Sequence, residues 1–180
     1  IAEGCSNRCS FCLIPKLRGA LRSRSVEDII TEASRCAEQG VKEINLIAQD
    51  TTAFGFDLGD PHALERLLSS LEQVRGIKWI RLLYTYPDGI TEGLLRLMAQ
   101  SRKIVPYLDV PLQHCVPKIL KAMERESPYL SINELITWIR SYIPHIALRT
   151  TFMVGFPGET DEDFEELVEL VERIEFDHVG

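Results

Sequence analysis

Gly4-Cys5-Ser6-Asn7-Arg8-Cys9-Ser10-Phe11-Cys12 brings three thiols together in the spacing C-x3-C-x2-C, and Leu13-Ile14-Pro15-Lys16-Leu17-Arg18-Gly19 follows at once. Thiolate is the ligand that iron–sulfur clusters and zinc demand, and so short a loop delivers three sulfurs to one centre without help from elsewhere in the chain. A tetrahedral zinc would still need a fourth ligand. A 4Fe-4S cube held by three cysteines instead leaves one iron without a protein ligand, open to chemistry.

Outward from this loop, strand, loop and helix alternate. Ser25 and Asp28 form a helix-start pair, and Val26, Ile29, Ile30, Ala33 and Ala37 recur at helical spacing until Gly40. Residues 43–48 read as an apolar strand, followed by the polar loop Gln49-Asp50-Thr51-Thr52-Ala53-Phe54-Gly55. Pro61 opens a second helix with Leu64, Leu67, Leu68 and Leu71 on one face. Residues 79–84 read as a strand, Tyr86-Pro87-Asp88-Gly89 as a turn, Thr91 as the cap of a helix through Met98, and residues 104–109 as a further strand. Pro111-Leu112-Gln113-His114-Cys115 then precedes a short helix bearing Ile119, Leu120 and Met123. Ser131 and Glu134 cap another helix, and 146–154 is a strand. Gly155-Phe156-Pro157-Gly158-Glu159 turns into a helix capped by Thr160 and Asp163, and a strand starts at His178.

Such alternation implies parallel pairing with right-handed crossovers, hence an α/β sheet or barrel. With residues 1–3 taken as the tail of the first, there are six strands, short of the eight and the ~250 residues of a closed barrel. The expected fold is a partial, TIM-like (β/α)6 barrel around a parallel sheet. Loops after the strands' C-terminal ends gather on one face of such folds, and every distinctive stretch here lies on one of them. A structural zinc does not need so many polar or glycine-rich loops aimed at it, so the convergence argues for a catalytic centre.

The 180 residues, 45% apolar and 26% charged, fit one domain with a substantial core. No apolar run approaches the ~20 residues of a membrane helix, and no signal-peptide pattern is present. Five cysteines, three of them clustered, suit a metal site in a reducing compartment better than a disulfide framework, which points to the cytoplasm. Cys36 reads as a small packed residue, whereas Cys115, beside a site loop, is open between inert and functional. A net charge of -7 argues against a nucleic-acid grip in this segment. The acidic run from Glu159 to Glu166 sits where carboxylates favour a helix start. Lys16, Arg18, Arg22 and Arg24 either steer an acidic ligand or balance local charge.

The C-x3-C-x2-C spacing with Phe11 before the last cysteine resembles the cluster signature of the radical S-adenosylmethionine (SAM) enzymes, in which SAM chelates the open iron through its amino and carboxylate groups. Ala48–Gly55, Tyr107–His114 and Thr151–Thr160 resemble the methylthiotransferase branch of that family. Within it, Gln49-Asp50-Thr51-Thr52 and Pro111-Leu112-Gln113-His114 look closest to the enzymes that modify an aspartate of a small-subunit ribosomal protein. Enzymes that modify an adenosine of tRNA are the alternative inside the family, and a zinc-stapled interaction domain is the alternative outside it.

The resemblance implies that Cys5, Cys9 and Cys12 ligate a 4Fe-4S cluster. It places Phe11 near the SAM adenine or in the core, and gives Gln49 and Gln113 either hydrogen bonds to SAM or ordinary loop capping. Arg149 would pair with SAM's carboxylate or form a strand-end ion pair, and Gly155 and Gly158 would shape a turn that lets backbone approach the adenine. The implied chemistry is reductive cleavage of SAM to a 5′-deoxyadenosyl radical, then methylthiolation of an aspartate β-carbon. Residues 1–180 would be the radical SAM core of a longer chain with an N-terminal methylthiotransferase domain, carrying a second 4Fe-4S cluster, and a C-terminal TRAM domain. Implied partners are the ribosomal protein and an electron donor such as flavodoxin or ferredoxin, with no membrane and no direct nucleic-acid contact.

Overall fold

Alternating apolar residues along short strands, and apolar stripes along the helices between them, set the architecture. The computed structural model describes residues 1–125 and 131–180. It opens with β1 (Ala2–Glu3), the cysteine loop, α1 (Ile14–Arg18), β2 (Arg22–Ser23) and α2 (Val26–Glu38). Next come β3 (Glu43–Leu46), α3 (Ala63–Leu71), β4 (Trp79–Leu82), α4 (Glu92–Gln100), β5 (Ile104–Asp109) and α5 (Pro117–Ala122). The described chain ends with α6 (Ile132–Tyr142), β6 (Ala147–Thr150), α7 (Asp161–Ile174) and β7 (His178–Val179). Strands β3 to β7 pair in sequence order and all in parallel, as repeated right-handed crossovers require.

One face of this sheet is apolar and packed. Leu46, Ile80, Leu82, Leu108 and Leu148 join Leu67, Leu68 and Leu71 of α3 and Leu135, Ile136 and Ile139 of α6 in one buried cluster. Each fully buried leucine or isoleucine there contributes ~1.5–3 kcal/mol relative to an exposed one. Several of the alternate positions are charged or polar. Arg81 pairs with Glu43 at 2.8 Å and lies over the Tyr107 ring, while Arg149 approaches Asp109 at 4.0 Å.

Helix starts follow the expected chemistry. The Ser25 side chain accepts from Asp28 N and that of Thr91 from Leu94 N, and complete capping boxes join Ser131 to Glu134 and Thr160 to Asp163. Two expectations change. Helix α3 begins at Ala63 with His62 as its N-cap, so Pro61 belongs to the preceding turn. Residues 1–3 do not extend the parallel ladder; Ala2–Glu3 pairs antiparallel with Arg22–Ser23, leaving five strands in the main sheet. The reason is the turn at Gly4, whose φ of +75° sends the chain into the cysteine loop and back, closed by Cys5 N–H to the Gly19 carbonyl. A Cβ at Gly4 would stand 2.2 Å from the Ala20 carbonyl oxygen, so only glycine fits. Ile1 still abuts the main sheet, its main-chain nitrogen donating to the Ile47 carbonyl at 2.9 Å.

Candidate active site

The C-terminal ends of the strands open onto a cavity of about 740 Å³. Cys5, Cys9 and Cys12 line it, together with Gln49 after β3, Tyr84 and Tyr86 after β4, Gln113 after β5 and Thr151 after β6. Four of the loops picked out along the sequence therefore converge, whereas the turn from Gly155 to Glu159 does not reach this cavity.

Ties from three distant segments hold the cysteine loop. Asn7 Nδ2 donates to Asp50 Oδ2 at 2.8 Å, and Asp50, itself buried, accepts from Thr52 Oγ1 and Ala53 N through its other oxygen. Ser10 bonds the end of α5 twice, through its N–H to the Met123 carbonyl at 3.0 Å and through Oγ to the Ala122 carbonyl at 2.8 Å. Arg125 Nη1 donates to Cys9 Sγ at 3.4 Å and Nη2 to the Pro111 carbonyl at 2.6 Å, with the guanidinium 4.4 Å from the centre of the Tyr86 ring. Burial pushes the Cys5 thiol above the ordinary cysteine range, and Asp50, Cys9 and Cys12 push the same way.

The donor set fits an iron–sulfur cube. All three thiols are free and face one cavity whose remaining wall carries amide, hydroxyl and aromatic groups. Among the described residues no three His, Cys, Asp or Glu side chains are grouped so as to hold a single metal ion. A cube makes no such demand, because each thiolate binds a different iron corner, and iron supplies the positive charge that offsets the raised Cys5 pKa.

Two cavity residues other than glycine hold left-handed backbone, Tyr84 at φ +58° and Gln113 at φ +74°. Such strain persists only where neighbours over-determine it. Tyr84 N donates to Asp109 Oδ2 at 3.2 Å, and Thr85 bonds the Asp109 carbonyl through both N–H and Oγ1. Gln113 is fixed by its N–H to the Thr151 carbonyl and by its own carbonyl, which accepts from Met153 N. Next to it, fully buried His114 accepts from Val116 N at Nδ1 and places Nε2 3.4 Å from Glu159 Oε1, joining the loop after β5 to the loop after β6.

Of the residues singled out along the sequence, Phe11, Gln49 and Gln113 line the cysteine cavity and Arg149, Gly155 and Gly158 do not. Arg149 faces Tyr107 and Asp109, which in that order hold its pKa above the ordinary arginine value. Gly155 and Gly158 adopt φ of +73° and +92°, as the turn into α7 requires. Cys115 packs between the main core and a smaller cluster of Val116, Ile119 and Met123. Burial pushes its thiol up to about 11, so it is a protonated packing group. The basic run near the cluster is partly neutralised: Arg18 pairs with Glu3, and Arg24 with Asp28 and Glu32. The sequence motifs assign no separate role to Asn7, Asp50, Tyr84, Asp109 or Arg125, whose roles come from contacts across long separations.

Residues 1–171 match the Radical SAM superfamily. The chain belongs to that family. Radical SAM enzymes use a 4Fe-4S cluster and SAM, in accord with the donor set. The chain is 57% identical over all its 180 residues to the "Ribosomal protein uS12 methylthiotransferase RimO" of Syntrophobacter fumaroxidans and 52% identical to that of Clostridioides difficile. In each case it spans 40% of the relative's length. Its fold resembles the radical SAM methyltransferase TsrM of Kitasatospora setae, solved with cobalamin and a [4Fe-4S] cluster (TM-score 0.78, 20% identity, 99% of this chain and 34% of that one). It also resembles the coproporphyrinogen III oxidase HemN of Escherichia coli (TM-score 0.60, 13% identity, 86% and 37%). No described helix is long and apolar enough to cross a membrane.

Proposed function

We propose that this radical SAM chain is the SAM-cleaving core of a methylthiotransferase acting on an aspartate of the small-subunit ribosomal protein uS12. The observation that carries the proposal is the gathering of Cys5, Cys9 and Cys12 on one cavity with Gln49 and Gln113, in a sequence 57% identical to a uS12 methylthiotransferase. Cys5, Cys9 and Cys12 hold the cluster, leaving one iron for SAM. When bound, the cluster and SAM supply the one-electron chemistry that activates an aliphatic C–H bond. The protein's part is placement. Phe11 offers an aromatic face to the adenine, and Gln49 and Gln113 offer amides to SAM's polar groups. Arg149, Gly155 and Gly158 act indirectly, the arginine through Asp109 on the backbone of Tyr84 and the glycines by shaping the turn after β6. Ile14, Ile47 and Ala48, with Tyr84 and Tyr86, give the cavity an apolar lining beside the cysteines.

Because the chain spans two-fifths of these relatives, sulfur delivery and substrate capture are assigned to segments outside the match: an N-terminal methylthiotransferase domain with a second 4Fe-4S cluster, and a C-terminal TRAM domain. The electron donor is a low-potential protein of the flavodoxin or ferredoxin kind, and the setting is the reducing cytoplasm, where five free cysteines persist.

Anaerobic reconstitution of the chain, with iron and acid-labile sulfide counted and EPR of the reduced sample recorded with and without SAM, tests the core of this reading. Roughly four irons and four sulfides per chain, as a cube requires, and a spectrum that changes with SAM are expected. Zinc alone, or a cluster spectrum indifferent to SAM, overturns it. Transfer of a methylthio group to uS12 by a full-length relative, but not by the same protein with the 180-residue core alone, tests the division of labour.

A further inference from the structure

Arg125 is the one described cation in hydrogen-bond contact with a cluster cysteine. Its position is over-determined. Nη1 reaches Cys9 Sγ, Nη2 reaches the Pro111 carbonyl, and the guanidinium plane lies on Tyr86, so three site loops hold one charge in place. Ser10, the residue after Cys9, is bonded twice to the end of α5, three residues before Arg125, which keeps the sulfur and the cation in register. No carboxylate bonds the guanidinium among the described residues, unlike Arg18, Arg24, Arg66, Arg81 and Arg96, each of which meets an acidic partner.

Reduction adds one negative charge to the cluster and the thiolates that hold it. A fixed cation donating to one of those sulfurs stabilises the reduced state more than the oxidised one, and partial burial against an aromatic face strengthens the effect. The geometry points to Arg125 as the residue that sets the reduction potential of the cluster, raising it so that a biological low-potential donor can deliver the single electron on which SAM cleavage depends. It acts through Cys9 and does not touch the reacting atoms, so it is a positioning residue. This inference rests on the cluster assignment above.

The test is an EPR-monitored redox titration of the reconstituted chain, with dithionite as reductant and mediators, on wild type, Arg125→Met and Arg125→Lys. At the wild-type midpoint, the ratio of reduced to oxidised cluster falls about tenfold in Arg125→Met, equivalent to about 59 mV for a one-electron couple. Arg125→Lys, which keeps the charge, stays within roughly threefold of wild type, about half that shift. A cluster-loaded Met variant with the wild-type potential overturns the inference, and so does a Lys variant that falls as far as Met. If Arg125→Met does not retain iron, Arg125→Gln takes its place; loss of iron from both, with the fold intact by circular dichroism, makes Arg125 a loading residue and also overturns the tuning role. A wild-type chain that binds no cube would instead sink the cluster assignment itself, so the two failures are distinct.

Discussion

The cysteine loop after β1 and the glycine turn after β6 sit on the same face of the sheet and are held in opposite ways. The cysteine loop has few internal bonds and depends on others: Asp50 through Asn7, the end of α5 through Ser10, and Arg125 at Cys9. The turn from Gly155 to Glu159 mostly holds itself, with Phe156 N donating to Glu159 Oε2 and Glu159 N to the Phe156 carbonyl; from outside, Phe156 packs on the Val116, Ile119 and Met123 cluster and, among the described residues, His114 supplies one hydrogen bond. A loop that must present three sulfurs to a metal has few side chains left over for its own support. A turn whose task is to redirect the backbone can support itself.

The largest expected effect separates ligands from supports. Alanine at Cys5, Cys9 or Cys12 removes a first-hand iron ligand, and the reconstituted protein should lose its SAM-responsive EPR signal altogether, while its helix content stays at the wild-type level. Alanine at Gly158 should leave iron and sulfide unchanged. If a single cysteine variant still gave a SAM-responsive cube, the contrast between the two loops would collapse.

Next comes the support itself. Asp50→Ala leaves Asn7, Thr52 Oγ1 and Ala53 N without their acceptor, so iron retention should weaken by roughly 10–100-fold, the usual cost of removing a group that orients metal ligands. Asp50→Asn keeps an acceptor and should recover most of the loss, as read by iron competition with a chelator. Equal iron retention in wild type and Asp50→Ala would show that the cysteine loop needs no outside tie.

The two loops were also unequally legible in the sequence. Cysteine spacing, the Gly155-Phe156-Pro157-Gly158 turn and the capping pairs at Ser25, Ser131 and Thr160 are signals within ten residues, and the structure contains each of the caps. Asn7 and Asp50 lie 43 positions apart, and Cys9 and Arg125 lie 116 apart, so no local pattern marks either pair. For Arg149 the resemblance leaves a pairing with SAM's carboxylate and a strand-end ion pair both open, and the register of β5 and β6, which sets it beside Asp109, favours the ion pair. Strand alternation gave the sheet's parallel order correctly but not the fate of residues 1–3, because the turn at Gly4 is decided by a contact with Ala20.

A smaller effect belongs to the hydrogen bond that His114 makes to the glycine turn. His114→Leu fills the buried space but leaves Glu159 Oε1 and Val116 N unpaired, which should cost ~2 kcal/mol. For a chain of 180 residues that is a fall in Tm of roughly 4–8 °C, with iron content unchanged. Loss of iron without loss of stability would mean that His114 serves the cluster and not the turn.

The smallest effect concerns Cys115, which lies between the two regions and joins neither. With its thiol pushed up to about 11 by burial, against an ordinary value of 9.0, its thiolate fraction at pH 8 is about 100-fold below that of an unperturbed cysteine. The sign follows from burial disfavouring the charged form, so reactivity should rise steadily as pH climbs towards 11 and show no plateau near 9. Iodoacetamide labelling read by peptide mass spectrometry should therefore find Cys115 modified far more slowly at pH 8 than the cysteine of a short unstructured peptide. Cys115→Ala should keep a full complement of iron and sulfide. Rapid labelling of Cys115 at pH 8, or loss of cluster from the alanine variant, would give the cavity a fourth working thiol, and the rule that its chemistry rests on three cysteines held from outside would fail.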